Sequence, residues 1–223
     1  MALEDEDIVV VAQKVVSKAE GRSIRLGTIK PSAHARDLGH TTGKDPRLIE
    51  LVLRESQRVL RAAPGVIVVK HKLGFVCANA GIDHSNVGPR GEGKDETVLL
   101  LPSDPDRSAS QIRSVLEKHS GKRLGVMIID SHGRPWRVGT VGVCIGLSGL
   151  QPLADQRGWS DLYGYVLQAT IVGVADELAA SASLLMGQAA ERTPVVHVRG
   201  FPYPLDEGSL DGLLRKESED LFQ

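Results

Sequence analysis

Five short apolar runs rich in β-branched residues, "DIVVVAQ", "GVIVVKH", "TVLLLP", "LGVMIID" and "PVVHVRG", punctuate this chain at uneven intervals, with helix-like segments of unequal length between them. Runs of that length and composition read as buried strands. A doubly wound sheet would need strand and helix to alternate regularly, so the uneven mixture predicts an α+β architecture, mixed sheets with packed helices. The 223 residues can bury one substantial core without metal or disulfide staples, and they read as a single domain spanning 1–223.

Local signals refine this outline. The first strand passes directly into "KVVSKAEGR", one or two helical turns closed by Gly21. In "IKPSAHARDLGHTTGKDPRLIELVLRESQRVLRA" two helices are expected, the second capped at Asp45-Pro46 and carrying Leu48, Leu51, Val52, Glu55 and Val59 along one face. "GVIVVKHKLGFVCANAG" predicts a hairpin turning near Leu73-Gly74, with the run toward Asp83 continuing as buried strand. "SASQIRSVLEKHSGK" predicts a helix capped at Ser108 and stopped by Gly121, "VGTVGVCIGLSGL" a glycine-punctuated strand region, residues around 166–187 a long helix, and "SLDGLLRKESEDLF" a closing helix. "GPRGEGKDET" is expected to be the most mobile piece, because its glycine, proline and charge bury little surface.

Charge narrows the function. With 27 Lys plus Arg against 28 Asp plus Glu, a net charge of −1 and no long single-sign block, there is no electrostatic footprint for nucleic acid or an anionic membrane. Any phosphate ligand must be held locally. The amino terminus, "MALEDEDIVV", lacks the basic region of a signal peptide, and "VLQATIVGVADELAASASLLMG" is interrupted by Gln168, Asp176 and Glu177, so the chain reads as soluble. Cys77 and Cys144, the only cysteines, lie in apolar runs as buried reduced thiols, which suits a cytoplasmic setting.

Two apolar runs give way to polar turns at an aspartate: "FVCANAGIDHSN" delivers Asp83 and "LGVMIIDSHGRPWR" delivers Asp130 followed by Ser131. Singly, each reads as a turn or cap residue. Together they suit a hard divalent cation, which takes carboxylate, hydroxyl and amide oxygens along with ligand phosphates. Gln13, Lys14 and Lys18 form a second group at and beyond the first strand; the lysines are four apart on one helical face, where they can meet a polyphosphate or simply be solvated. There is no G-x-x-x-x-G-K-[ST], hence no P-loop, and no G-x-S-x-G elbow. Arg134 and Arg137 flank Trp136 and can clamp an anion or pair at the surface. The seven histidines show no zinc spacing, although His84 and His132 stand close to the two aspartates.

"QKVVSKAEGR", "NAGIDHSNV", "IIDSHGRPWRVGTVGVCIG", "DLYGYVLQAT", "ADELAASASLLMGQ" and "PVVHVRG" occur in an order and spacing that resembles the coenzyme F420:L-glutamate ligases, also called F420-0:gamma-glutamyl ligases, from about residue 5 to about residue 204. The resemblance implies a two-lobed fold in an intertwined homodimer and GTP-dependent joining of L-glutamate to F420-0, with further gamma-linked glutamates. It implies an acyl phosphate, release of GDP and phosphate, Mg2+ or Mn2+ as cofactor and K+ as an additional ion. Carried onto this chain, the metal ligands fall on Asp83 and Asp130, with Ser131 and Gln188 at a second ion; Gln188 stands where many members have Glu. Nucleotide contacts fall on Gln13, Lys14, Lys18 and Asn86, and on Met186, Gly187, Gln188, Ala189, Ala190, Glu191, Arg192 and Thr193. Measured against the resemblance, the chain is expected to lack a nucleotide-contacting segment before the first strand and to lack the nitroreductase-like carboxyl domain of some relatives. Two other readings stand beside the ligase: a coenzyme- or nucleotide-binding homologue with impaired turnover, and a metal-dependent phosphoester hydrolase.

Overall fold

A computed structural model describes residues 2–88 and 96–220. The expected mobile segment "GPRGEGKDET" lies, but for its ends, outside the described residues. In chain order the elements are β1 (Ile8–Ala12), α1 (Gln13–Ala19), β2 (Ser23–Arg25), α2 (Ala33–Thr42), α3 (Pro46–Arg54), β3 (Ser56–Ala63), β4 (Val66–His71), β5 (Val76–Ala78), β6 (Thr97–Leu99), α4 (Pro105–Ser120), β7 (Gly125–Arg134), β8 (Arg137–Ser148), β9 (Ala154–Asp155), β10 (Ile171–Val172), α5 (Val174–Met186) and β11 (Val195–Val198). The mixed α+β class is as expected. The chain divides into two compact units, the first from Met1–Ala12, Asp104–Ser131 and Val141–Gln223, the second from Gln13–Ser103 and His132–Thr140.

The first unit is built on a mixed sheet ordered β11-β1-β7-β8, in which β1 runs antiparallel to β11 and parallel to β7. Alternate residues of neighbouring strands, Ile8 and Val10 with Met127 and Ile129, share one buried face with Cys144 and Leu147. Ala175, Ala179 and Ala182 of α5 cover that face, their spacing placing them on one helical stripe. The glycines of β8 let the helices close in: a Cβ on Gly142 would sit 2.5 Å from the Ala179 carbonyl oxygen, and one on Gly146 would sit 2.4 Å from Pro105 Cβ. A clasp at the sheet's start involves Asp7, 1% exposed, whose carboxylate accepts Arg199 Nε (2.9 Å), Arg199 Nη2 (2.8 Å) and the Glu4 backbone N–H (2.7 Å). His197 Nε2 lies 2.8 Å from Asp7 Oδ2. The Arg199 hydrogen bonds lead in holding the Asp7 carboxyl well below the usual carboxylate range, against the opposing effect of burial.

The second unit holds a three-stranded antiparallel sheet, β3-β4-β5, and the pair β2-β6. Helices α2 and α3 pack there, and the core gathers Leu26, Ile49, Leu51, Ile67, Val69 and Val98. Asp45 caps α3 as expected, accepting the Arg47 backbone N–H at 2.7 Å.

Several boundaries differ from expectation. Helix α3 stops at Arg54 and Val59 lies in β3 opposite Val69, because the turn at Gly65 (φ 83°) folds Ser56–Ala63 back as a strand on β4 and cross-strand pairing outweighs the helical pattern. Helix α4 starts at Pro105, with Asp104 rather than Ser108 as its cap; the Asp104 carboxylate accepts the Arg107 N–H at 3.0 Å. Helix α5 starts at Val174, not near 166, since Ser160 bridges Val166 and Ile171–Val172 pairs with Ala154–Asp155. The closing segment forms two short 3-10 turns, Leu210–Gly212 and Glu217–Glu219, in place of a helix. Both cysteines are free and buried, and burial pushes the Cys144 thiol up. Among the described residues no helix is long and apolar enough to cross a membrane.

Candidate active site

In the second unit, β5 ends at Ala78, five residues before Asp83, which corrects the reading of Asp83 as the end of a buried strand. A 3-10 turn, Asn79–Gly81, intervenes, with three successive positive φ angles of 53°, 53° and 63°. Ala80 holds that left-handed conformation while 1% exposed, a backbone state that costs of order 1 kcal/mol or more and persists only where its surroundings enforce it. The turn re-aims the chain so that Asp83 bridges Leu99 through paired backbone hydrogen bonds of 2.9 Å each. An isolated antiparallel bridge therefore anchors the backbone that carries the carboxylate.

Helix α1 supplies the partners. Gln13 is 1% exposed; its Nε2 donates to Asp83 Oδ2 at 2.5 Å, and its Oε1 accepts from Ser17 Oγ at 2.9 Å. Lys14 Nζ pairs with the same Oδ2, the two side chains being 27% and 23% exposed. One turn on, Lys18 Nζ donates to the Asn86 carbonyl oxygen at 2.5 Å. Asn86 itself takes a positive φ of 55°. The four-residue spacing of the lysines thus becomes two adjacent cation contacts on the segment after the Asn79–Gly81 turn. His84 pairs with Glu96 at 2.8 Å.

In the first unit, Asp130 sits within β7 and not at its end: the strand continues to Arg134 and turns at Pro135-Trp136, where Trp136 has a φ of 62°. Long pairing with β8 carries the strand past the apolar run. Next to Asp130, Ser131 Oγ donates to Gln188 Oε1 at 3.0 Å. Gln188 opens the segment after α5, where Gly187 (φ 69°) ends the helix. Glu191 folds back on that turn, accepting the Ala189 N–H at 2.8 Å, and backbone N–H groups of its own residue, Ala189 and Ala190 hold its carboxyl below the usual range. Thr193 Oγ1 donates to the Glu191 carbonyl at 3.2 Å, and Arg192 is left-handed at φ 59°. Met186, by contrast, lies in the core of the first unit. His132, 9% exposed, packs at a tilt on Phe75 with ring centroids 5.2 Å apart, inside the second unit.

Among the described residues no three or more His, Cys, Asp or Glu side chains gather as a metal site. Within the first unit Asp130, Ser131 and Gln188 offer carboxylate, hydroxyl and amide oxygens, and within the second Asp83 offers a carboxylate, donor types that suit a hard cation such as Mg2+ or Mn2+ and not zinc. The carboxylate of Asp83 already faces a cation, the Lys14 ammonium. The residue that the sequence reading missed is Ser17; its position four after Gln13 on a helix was the available signal.

The family model described as F420-0:Gamma-glutamyl ligase matches residues 1–200. The chain belongs to the F420-0:gamma-glutamyl ligase family. It is 48% identical over 223 residues to the coenzyme F420:L-glutamate ligase of Methanothermobacter thermautotrophicus, covering 99% of this chain and 86% of the relative. Against the enzyme of the same name from Methanopyrus kandleri the identity is 47%, covering 99% of this chain and 87% of the relative. Against that of Methanosarcina mazei it is 40%, covering 100% and 85%. The segments holding Gln13, Lys14, Lys18, Asp83, Asn86, Asp130, Ser131 and Gln188 all fall within the part matched to the gamma-glutamyl ligase family.

Proposed function

We propose that this protein is a coenzyme F420:L-glutamate ligase that joins L-glutamate to F420-0 and extends the tail with gamma-linked glutamates. The observation that carries the reading is identity of 48% along essentially the whole chain to a ligase of that name. In the proposed reaction, a carboxylate oxygen of F420-0 attacks the γ-phosphorus of GTP and GDP leaves. The glutamate amine then attacks the carbonyl carbon of the acyl phosphate, the C–N bond forms as the C–O bond to phosphate breaks, and the amine proton passes to solvent.

Mg2+ or Mn2+, when bound, offsets charge on the transferring phosphoryl group. Asp83 in the second unit and Asp130 in the first are the carboxylates assigned to metal, and Ser131 and Gln188 of the first unit are assigned to a second ion; K+ is proposed as an additional ion. Lys14 and Lys18 of the second unit supply point charges for phosphate, and Asn86 of that unit and residues 187–193 of the first are the proposed nucleotide contacts, whereas Gln13 and Met186 are buried and meet no ligand directly. The protein works as a homodimer in this reading, supported by large apolar side chains exposed in the first unit, Leu162 (98%) and Tyr163 (95%) among them.

Incubation with F420-0, L-glutamate, GTP and Mn2+ tests the assignment by mass spectrometry and nucleotide analysis. The expected outcome is GDP together with coenzyme heavier by one or more glutamyl units. GDP release without glutamate dependence would indicate a phosphoester hydrolase, and coenzyme binding without product would indicate a binding homologue; either contradicts the proposal. Sedimentation of the purified protein at twice the chain mass of 23.9 kDa is expected for the dimer.

A further inference from the structure

We infer that Ser17 is a positioning residue for Asp83, acting through the side-chain amide of Gln13. This rests on the reading of Asp83 as a carboxylate that holds a divalent cation. A helical serine commonly returns its hydroxyl to the carbonyl four residues earlier. Here Ser17 Oγ lies 2.9 Å from the side-chain Oε1 of Gln13 instead. That oxygen carries no proton, so the hydroxyl donates. The Asp83 carboxylate, which only accepts, takes Nε2 at 2.5 Å and leaves Oε1 to the Ser17 hydroxyl, whose bond holds the amide in that place. With the amide reversed, Oε1 would face a carboxylate oxygen, two acceptors in contact.

Ser17 is 0% and Gln13 1% exposed, so water does not replace the bond between them. The chain hydroxyl, amide, carboxylate is therefore directional and enclosed until it reaches Asp83, whose side chain is 23% exposed. Lys14 touches the same oxygen but brings a positive charge, which a metal ion must compete with. The amide is neutral. It orients the carboxylate without discharging it, the service that groups behind a ligand ordinarily provide.

Mn2+ binding to nucleotide-free protein, followed by the electron paramagnetic resonance of free Mn2+, tests this, with the melting temperature of each metal-free variant as the check on folding. Asp83→Asn defines the binding that depends on this carboxylate. Ser17→Ala is expected to weaken that binding about tenfold, and Gln13→Met at least as much. In the double variant Ser17→Ala adds nothing to Gln13→Met, because its route has been removed. In turnover, Ser17→Ala raises the KM for Mn2+ more than it lowers kcat. Mn2+ binding of Ser17→Ala equal to wild type, or an equal loss from Ser17→Ala in both backgrounds, overturns the inference. Should Ser17→Ala not fold, wild-type Mn2+ binding by Gln13→Met overturns it alone. Unchanged binding in Asp83→Asn removes the metal reading itself, a failure distinct from the others.

Discussion

Asp7 and Asp83 are both aspartates met by basic side chains, one in each compact unit, and they do different work. Asp7 is 1% exposed, and both its oxygens are engaged by Arg199, with Glu4 and His197 adding to Oδ2. A carboxylate so enclosed has no approach left for a ligand, and its partners come from strand β11 and the residue just beyond it and from the amino-terminal segment, so it ties chain ends to the sheet. Asp83 reaches the surface, with Lys14, itself 27% exposed, on one oxygen and the neutral amide of Gln13 behind it. Ion pairing by itself does not mark a site. Exposure, and the charge and reach of the partners, separate the two roles.

Exchanging each carboxylate for its amide separates them most sharply. Asp83→Asn is expected to lower metal-dependent glutamylation by about a thousandfold, in the range seen when a group acting on the transition state is removed, while the melting temperature stays near wild type. Asp7→Asn should do the reverse, lowering the melting temperature by about 5 °C with turnover of the folded protein largely kept. Acid sharpens the contrast. Because the folded pKa of Asp7 lies below its unfolded value of about 3.9, its contribution is complete above that value and lost as pH falls through the folded one. The gap in melting temperature between wild type and Asp7→Asn should thus be widest near neutrality and close as pH drops from about 5 toward 2; a constant gap would detach the clasp from the charge of Asp7.

The smallest effects are expected at the exposed neutral pair of the first unit, where Ser131 donates to Gln188. Gln188→Ala should weaken Mn2+ binding there by about threefold, and Gln188→Glu should tighten it by adding charge to the donor set. Calorimetric titration with Mn2+ reads both. A tenfold or larger loss in Gln188→Ala would place the weight of metal binding on the first unit and break the comparison.

Much of this was legible in the sequence. Apolar β-branched runs located β1, β4, β6, β7 and β11, and the Asp-Pro and glycine signals located one end of α3 and one of α4. Pairing partners were not legible, and they moved the errors: Val59 follows a helical pattern yet joins β3 because β4 is there to pair with it. The local reading of Asp83 as a strand end failed, since no periodicity announces three left-handed residues in succession. Lys14 and Lys18 were placed on one face correctly, whereas Ser17 between them was overlooked because a helical serine usually bonds only to its own backbone.

The most direct measurement is a glutamylation assay on wild type and Asp83→Asn side by side, with F420-0, L-glutamate, GTP and Mn2+, read by the mass of the coenzyme. The account predicts glutamylated product from wild type, dependent on GTP and Mn2+, and essentially none from a folded Asp83→Asn. Equal product from both would contradict it.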